Sequence, residues 1–147
     1  MCLSLSLKNA CTVCCAHAGL CLCGVGHILL NSTIKDGAHF GMLLTGNDHT
    51  ITGNVFTNLV YGGADAGAIY SGRDWTYRGQ MITANLFANI SSWLCKPGGA
   101  RNCLGQAPRA LHSDDGMSGW SVTHNTFWNV TQVQNAYSSR DMTVSVG

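Results

Sequence analysis

Three segments of the chain superpose without gaps on one pattern of aliphatic, Thr, any, Asn, any, Phe, any, Asn, aliphatic. They are Ile51 to Leu59, Ile82 to Ile90 and Val122 to Val130. A weaker copy runs from Leu29 to Gly37, with Ser32 for the first Asn, Ile34 for the Phe and Asp36 for the second Asn. Equivalent positions lie 22 (Ser32 to Asn54), 31 (Asn54 to Asn85) and 40 (Asn85 to Asn125) residues apart. The base unit is therefore 22 residues with insertions of 9 and 18, and a fifth copy starts at Met142-Thr143-Val144-Ser145. Self-similarity at such a period is the signature of a solenoid, in which each unit buries its apolar face only by stacking on the next.

A second pattern interleaves with the first: Gly41 to Asp48 resembles Gly67 to Asp74, with an echo from Tyr137 to Asp141. Both patterns are short, alternate apolar with small or polar residues, and are bounded by Gly, Asn and Asp, which reads as strands and turns. Each unit then holds at least two strands, and the expected fold is all-β: a parallel β-helix of about five to six coils. Aliphatic and Phe positions stack inward. Asn54, Asn85 and Asn125 form a turn ladder, suited by Asn's tolerance of the left-handed backbone and its capacity to bond along a stack. Asp74 reads as a turn cap in the slot of Asp48. Residues 1–23 are a Cys-rich apolar segment of uncertain structure, and residues 24–147 are the repeats, with insertions near 60–78 and 91–118. A solenoid needs polar end caps. None is readable here, so a fragment lacking one or both caps is expected.

Composition narrows the functional classes. The 147 residues make about one domain, and 10% charged residues with 46% hydrophobic content do not suit a disordered chain. Eight Lys and Arg are scattered against seven acids, for a net charge of +1, which lacks the basic footprint of a nucleic-acid binder. No GxGxxG or Walker pattern points to a nucleotide cofactor. The amino-terminal stretch is interrupted by Lys8, Asn9 and His17, so no membrane span is expected, and Lys8 follows the apolar run, which makes a poor signal peptide. Six of eight cysteines fall before residue 24. Cys11, Cys14, Cys15, His17, Cys21 and Cys23 have metal-binding side chains, but their spacing is irregular, and they read as small buried hydrophobes. Cys95 and Cys103 bracket a Gly/Pro/Arg loop short enough to close as a disulfide. Asn31, Asn89 and Asn129 head N-glycosylation patterns, the last two of them in the second Asn slot of the repeat.

The insertions are where function is to be sought, because loops on a rigid solenoid carry binding and catalysis. The first holds Asp65 and leads to Tyr70, Arg73 and Trp75; the second leads to His112, Asp114 and Asp115. The run Asp65-Ala66-Gly67-Ala68-Ile69-Tyr70-Ser71-Gly72-Arg73-Asp74-Trp75-Thr76, followed by Asp114-Asp115-Gly116-Met117-Ser118-Gly119, resembles the right-handed parallel β-helix proteins of the pectate-lyase-like superfamily, nearest to glycoside-hydrolase-like members. The resemblance runs from about Gly24 to Val146. It implies the right hand of the helix, a polysaccharide or oligosaccharide as partner in a groove lined by the two acidic motifs, and an extracellular or cell-surface location for the parent family. Where such proteins read Gly-Ile-Tyr-Leu-Asp-Asp, this chain has Ala110-Leu111-His112-Ser113-Asp114-Asp115.

Glycosidic cleavage needs two carboxyl groups, about 5 Å apart for retention or about 6.5–9.5 Å for inversion. Stacked strands lie about 4.8 Å apart, so acids at matching positions of adjacent coils would meet the shorter window. Asp65 and Asp115 are the leading pair, followed by Asp114, one as general acid and the other as nucleophile or base. Arg73 would orient a hydroxyl or carboxylate, Tyr70, Trp75 and Tyr77 would offer stacking faces, and His112 would line the site. No cofactor is required by that chemistry. A polysaccharide lyase with Arg73 or His112 as base, and with Ca²⁺ on Asp65, Asp114 and Asp115, is one alternative. A non-catalytic carbohydrate-binding or surface-structural solenoid is the other. The reading leans toward an enzyme.

Overall fold

The computed structural model describes residues 3–4, 18–95, 103, 106–136 and 143–145. Among the described residues the strands in chain order are β1 (Leu3–Ser4), β2 (Ala18–Val25), β3 (Ile28–Leu30), β4 (Thr33–Gly37), β5 (Phe40–Asn47), β6 (Thr50–Thr52), β7 (Val55–Leu59) and β8 (Gly67–Ser71). They continue with β9 (Met81–Thr83), β10 (Leu86–Ile90), β11 (Arg109–Ser113), β12 (Ser121–Thr123), β13 (Thr126–Val130), β14 (Gln132–Ala136) and β15 (Thr143–Ser145), with one 3-10 turn at Trp93–Cys95. They form three sheets, β1-β2-β5-β8-β11-β14, β3-β6-β9-β12-β15 and β4-β7-β10-β13, here called A, B and C. Every pairing is parallel, for example Ile51 with Ile82 and Phe87 with Phe127. The chain visits A, B and C in turn, so β2 to β4 form one coil and β5 to β7 the next. The fold is an all-β parallel solenoid of three strands per coil.

Sheets B and C keep the spacing read from the repeat. Leu29 pairs with Ile51, Ile51 with Ile82, Ile82 with Val122 and Val122 with Val144, which are steps of 22, 31, 40 and 22. The fifth copy is thus β15. The strand stack also reaches back to Ala18, before the repeat becomes readable, through the pairing of β2 with β5. Sheet A departs from the sequence alignment. Met42 pairs with Ile69 and Leu43 with Tyr70, a step of 27 where the similarity of Gly41 to Gly67 implied 26. Gly41 stacks on Ala68 instead, and Asp48 falls beside Gly79, not Asp74, since Thr50 pairs with Met81. Residues 137–142, which hold the third echo of that pattern, lie outside the described residues.

Ile51, Phe56, Ile69, Ile82, Phe87, Leu111 and Val122 are buried in one cluster. Removing each such side chain from water contributes about 1.5–3 kcal/mol. Phe56, Phe87 and Phe127 stack face to face at 4.9 and 5.2 Å between centroids, the spacing that parallel strands impose. Beside them runs the Asn ladder. The amide oxygen of Asn85 accepts from the backbone N–H and Nδ2 of Asn54 at 2.9 and 3.0 Å, and Asn125 receives the same pair from Asn85. The left-handed turn belongs to the preceding residue, however: Gly53, Ala84 and His124 have φ of 66, 54 and 56°. The Asn side chains bond the bend that their neighbours make.

Candidate functional site

Register shows how each insertion is divided. Of the first nine inserted residues five precede β8 and four follow it; of the second eighteen, sixteen precede β11 and two follow. Each insertion therefore brackets a strand of sheet A, and the loops gather at the two ends of β8 and β11. Asp65 lies before β8, Tyr70 within it, and Arg73, Trp75 and Tyr77 after it; His112 lies within β11, with Asp114 and Asp115 after it. Cys95 and Cys103 join as a disulfide with Cα atoms 5.2 Å apart, closing the longer loop. Cys23 is disulfide-bonded and Cys21 is buried in β2, while Cys2, Cys11, Cys14, Cys15 and His17 lie outside the described residues.

His112 is the centre of the cluster. Its ring is 1% exposed and packs edge-on against Tyr70, its register partner, at 5.1 Å and 87°. Its Nε2 lies 4.0 Å from Oδ1 of Asp65 and 3.8 Å from Oδ1 of Asp114. Those two oxygens are therefore at most about 7.8 Å apart. The two acids do not occupy matching positions of adjacent coils. They sit at opposite ends of neighbouring strands, and their side chains meet over His112. Room for this comes from glycine: a Cβ on Gly67 would lie 2.8 Å from the His112 Cβ, and one on Gly72 2.7 Å from the Asp114 Cβ.

Each acid also has an internal partner. The Arg109 guanidinium, itself 2% exposed, donates to Asp65 Oδ1 at 3.1 Å, and the Tyr70 hydroxyl donates to Asp114 Oδ2 at 2.9 Å. Burial, then the bond to Asp114, push the Tyr70 hydroxyl up to about 12, so it remains a donor at all ordinary pH. Burial first, and the Arg109 charge next, lower His112 below its ordinary value, although Asp114, Asp65 and Asp115 oppose the shift. A neutral ring is the result near pH 7. Arg109 was missed by sequence reasoning because no repeat copy marks it; its register partners are Gly67 and Gln132, neither of them charged. The only signal was a cation directly after the second insertion.

The other expected residues are placed differently. Asp115, with φ of 44°, carries its carboxylate toward Arg73 at 3.8 Å, both side chains being well exposed, and no contact joins it to Asp65. Tyr70 is flanked by Phe40 at 4.6 Å as well as by His112, so its ring faces are largely occupied. Tyr77 packs against the core, where burial and then Asp74 raise its hydroxyl. Trp75, 79% exposed, presents an open indole. Asp74 Oδ1 accepts from the Thr76 backbone N–H and hydroxyl at 3.0 and 2.6 Å, which is the geometry of a turn cap. No helix among the described residues is long and apolar enough to cross a membrane. Comparison with known proteins adds no relative: no family model, no curated protein and no solved structure matches the chain.

Proposed function

We propose that the outer side of sheet A at β8 and β11 is a carbohydrate site, and that the protein hydrolyses glycosidic bonds of a complex polysaccharide with Asp65 and Asp114 as its carboxyl pair. The observation that carries this reading is their approach to one nitrogen of His112 from two different coils, at 4.0 and 3.8 Å. One carboxyl group would protonate the leaving oxygen while the other acts as nucleophile or base. Trp75 is suited to stack on a sugar face and Arg73 to bond a hydroxyl or carboxylate at the rim. The likeness of the Asp65 to Thr76 run to pectate-lyase-like β-helix proteins supports the same substrate class, with Asp115 at the rim in place of the leading role that sequence reasoning gave it.

The lyase alternative is less well served. A neutral His112 that accepts from Arg109 keeps its proton on Nε2, so it has no free lone pair there for a substrate proton. Ca²⁺ does not fit the residues either. Arg109 already occupies Asp65, and among the described residues no three His, Cys, Asp or Glu side chains gather into a set able to hold a metal ion. A non-catalytic binding solenoid has one observation in its favour: both acids are held by internal partners, as purely architectural acids would be.

A screen of plant and algal polysaccharides that follows reducing ends and unsaturated products separates the three. New reducing ends without ultraviolet absorbance, lost in Asp65→Asn and Asp114→Asn, are expected. Unsaturated products would establish the lyase, and binding without product in all variants would establish the binding solenoid.

A further inference from the structure

Among the described residues, the Nε2 of His112 is a buried ring nitrogen with no hydrogen-bond partner, although it lies closest to two carboxylates. Leaving a buried polar atom unpaired is costly, so such an atom calls for an explanation. The other ring nitrogen supplies it. Nδ1 faces the Arg109 guanidinium at 3.4 Å, and a guanidinium can only donate, so Nδ1 accepts and the single proton of the neutral ring is on Nε2. The nitrogen that carries it lies 4.0 Å from Oδ1 of Asp65 and 3.8 Å from Oδ1 of Asp114, just too far for a hydrogen bond to either. Two acceptors and one donor are thus poised for closure.

We propose that His112 is the positioning residue of this site: its Nε2–H is the one donor kept in reserve beside both Asp65 and Asp114, while Arg109 fixes the tautomer that makes it a donor. This rests on the reading of Asp65 and Asp114 as the working pair. The device links the two coils: Arg109 grips Asp65 and His112 at once, and Tyr70 grips Asp114 while packing edge-on against the His112 ring. A ligand oxygen entering beside the acids would find in that N–H an unused donor. A His at this position that served only to fill space beneath Tyr70 would have no reason to keep the Nε2–H tautomer.

The groups that face His112 are Arg109 on its own strand, Tyr70 on β8, Asp65 before β8, and Asp114 and Asp115 after β11. Imidazole nitrogen NMR on the full chain tests the proposal without any substrate. The Nε2–H tautomer should dominate in the wild type. The His112 titration should move to lower pH by about half a unit or more in Asp114→Asn and Asp65→Asn, and least in Asp115→Asn, because each acid favours the charged ring. A dominant Nδ1–H tautomer, or a titration unmoved by Asp65→Asn and Asp114→Asn, would overturn it. Once a cleaved polysaccharide is in hand, His112→Gln, which keeps a donor near the Nε2 position, should retain at least about tenfold more turnover than His112→Phe. Equal turnover in the two variants would also overturn it. The spectroscopic result stands whether or not any glycan is cleaved, so failure of the positioning role and failure of the hydrolase reading are distinguishable.

Discussion

At the scale of single residues, two ladders of similar composition differ in burial. Asn85 lies inside the solenoid and exchanges side-chain bonds with Asn54, Asn125 and the carbonyls of Ile51 and Thr83. Asn58 lies on the outside and bonds only Asp36 through its side chain. Asn85→Ala should therefore lower unfolding free energy by about 2–4 kcal/mol in urea, because it strands several buried groups, and Asn58→Ala by less than about 1 kcal/mol. The buried histidines set the pH response. His49 and His112 are both lowered from 6.5, chiefly by burial, so the unfolded chain takes up their protons first as the solution is acidified. Stability should be level above pH 7, fall from about pH 6.5 downward, and flatten again below the folded values. His49→Gln should lessen that fall, since Gln80 fills the equivalent slot of the next coil and bonds the His49 backbone N–H. A thermal midpoint that does not decline between pH 7 and 5 would contradict this.

At the scale of strands, the middle of a stack should matter more than its end. Phe87 is sandwiched between Phe56 and Phe127, and Phe87→Ala should cost about 3–5 kcal/mol, whereas half-buried Phe127 should cost less. The disulfide closes a short loop, so replacing Cys95 and Cys103 with Ser should lower stability by up to about 2–3 kcal/mol and expose the loop to proteolysis. Both effects are measurable by denaturation of the purified variants. Sheets B and C were legible in the sequence because Asn and Phe recur at a fixed place in every copy, and a side chain that must bond or stack on its own likeness leaves a strong pattern. Sheet A was not. Its slots hold Met42, Ile69 and Leu111, which are interchangeable aliphatics, and the insertions on both sides of β8 remove the fixed spacing that would have aligned them. A shared glycine then drew the alignment off by one. Gly41 and Gly67 are glycine for separate reasons, one beside the Ala68 carbonyl and the other beneath His112.

At the scale of the whole molecule, the solenoid builds the candidate site by bringing together residues 44 or more positions apart, such as Tyr70 with Asp114 and Asp65 with Arg109. Asp65, Asp114, Asp115 and His112 were legible as site candidates beside the insertions; Arg109 and the contacts that His112 makes were not, because they follow from register and burial that no spacing encodes. Asp114 and Asp115 are adjacent in sequence and only the backbone decides which one turns toward Asp65. The most direct test of the account is therefore the rate of reducing-end release from a cleaved polysaccharide by Asp65→Asn, Asp114→Asn and Asp115→Asn beside the wild type. The account predicts a loss of about a thousandfold or more in the first two and of less than about tenfold in the third. An Asp115→Asn protein as impaired as Asp65→Asn beside an active Asp114→Asn, or no reducing ends from the wild type on any polysaccharide, would contradict it.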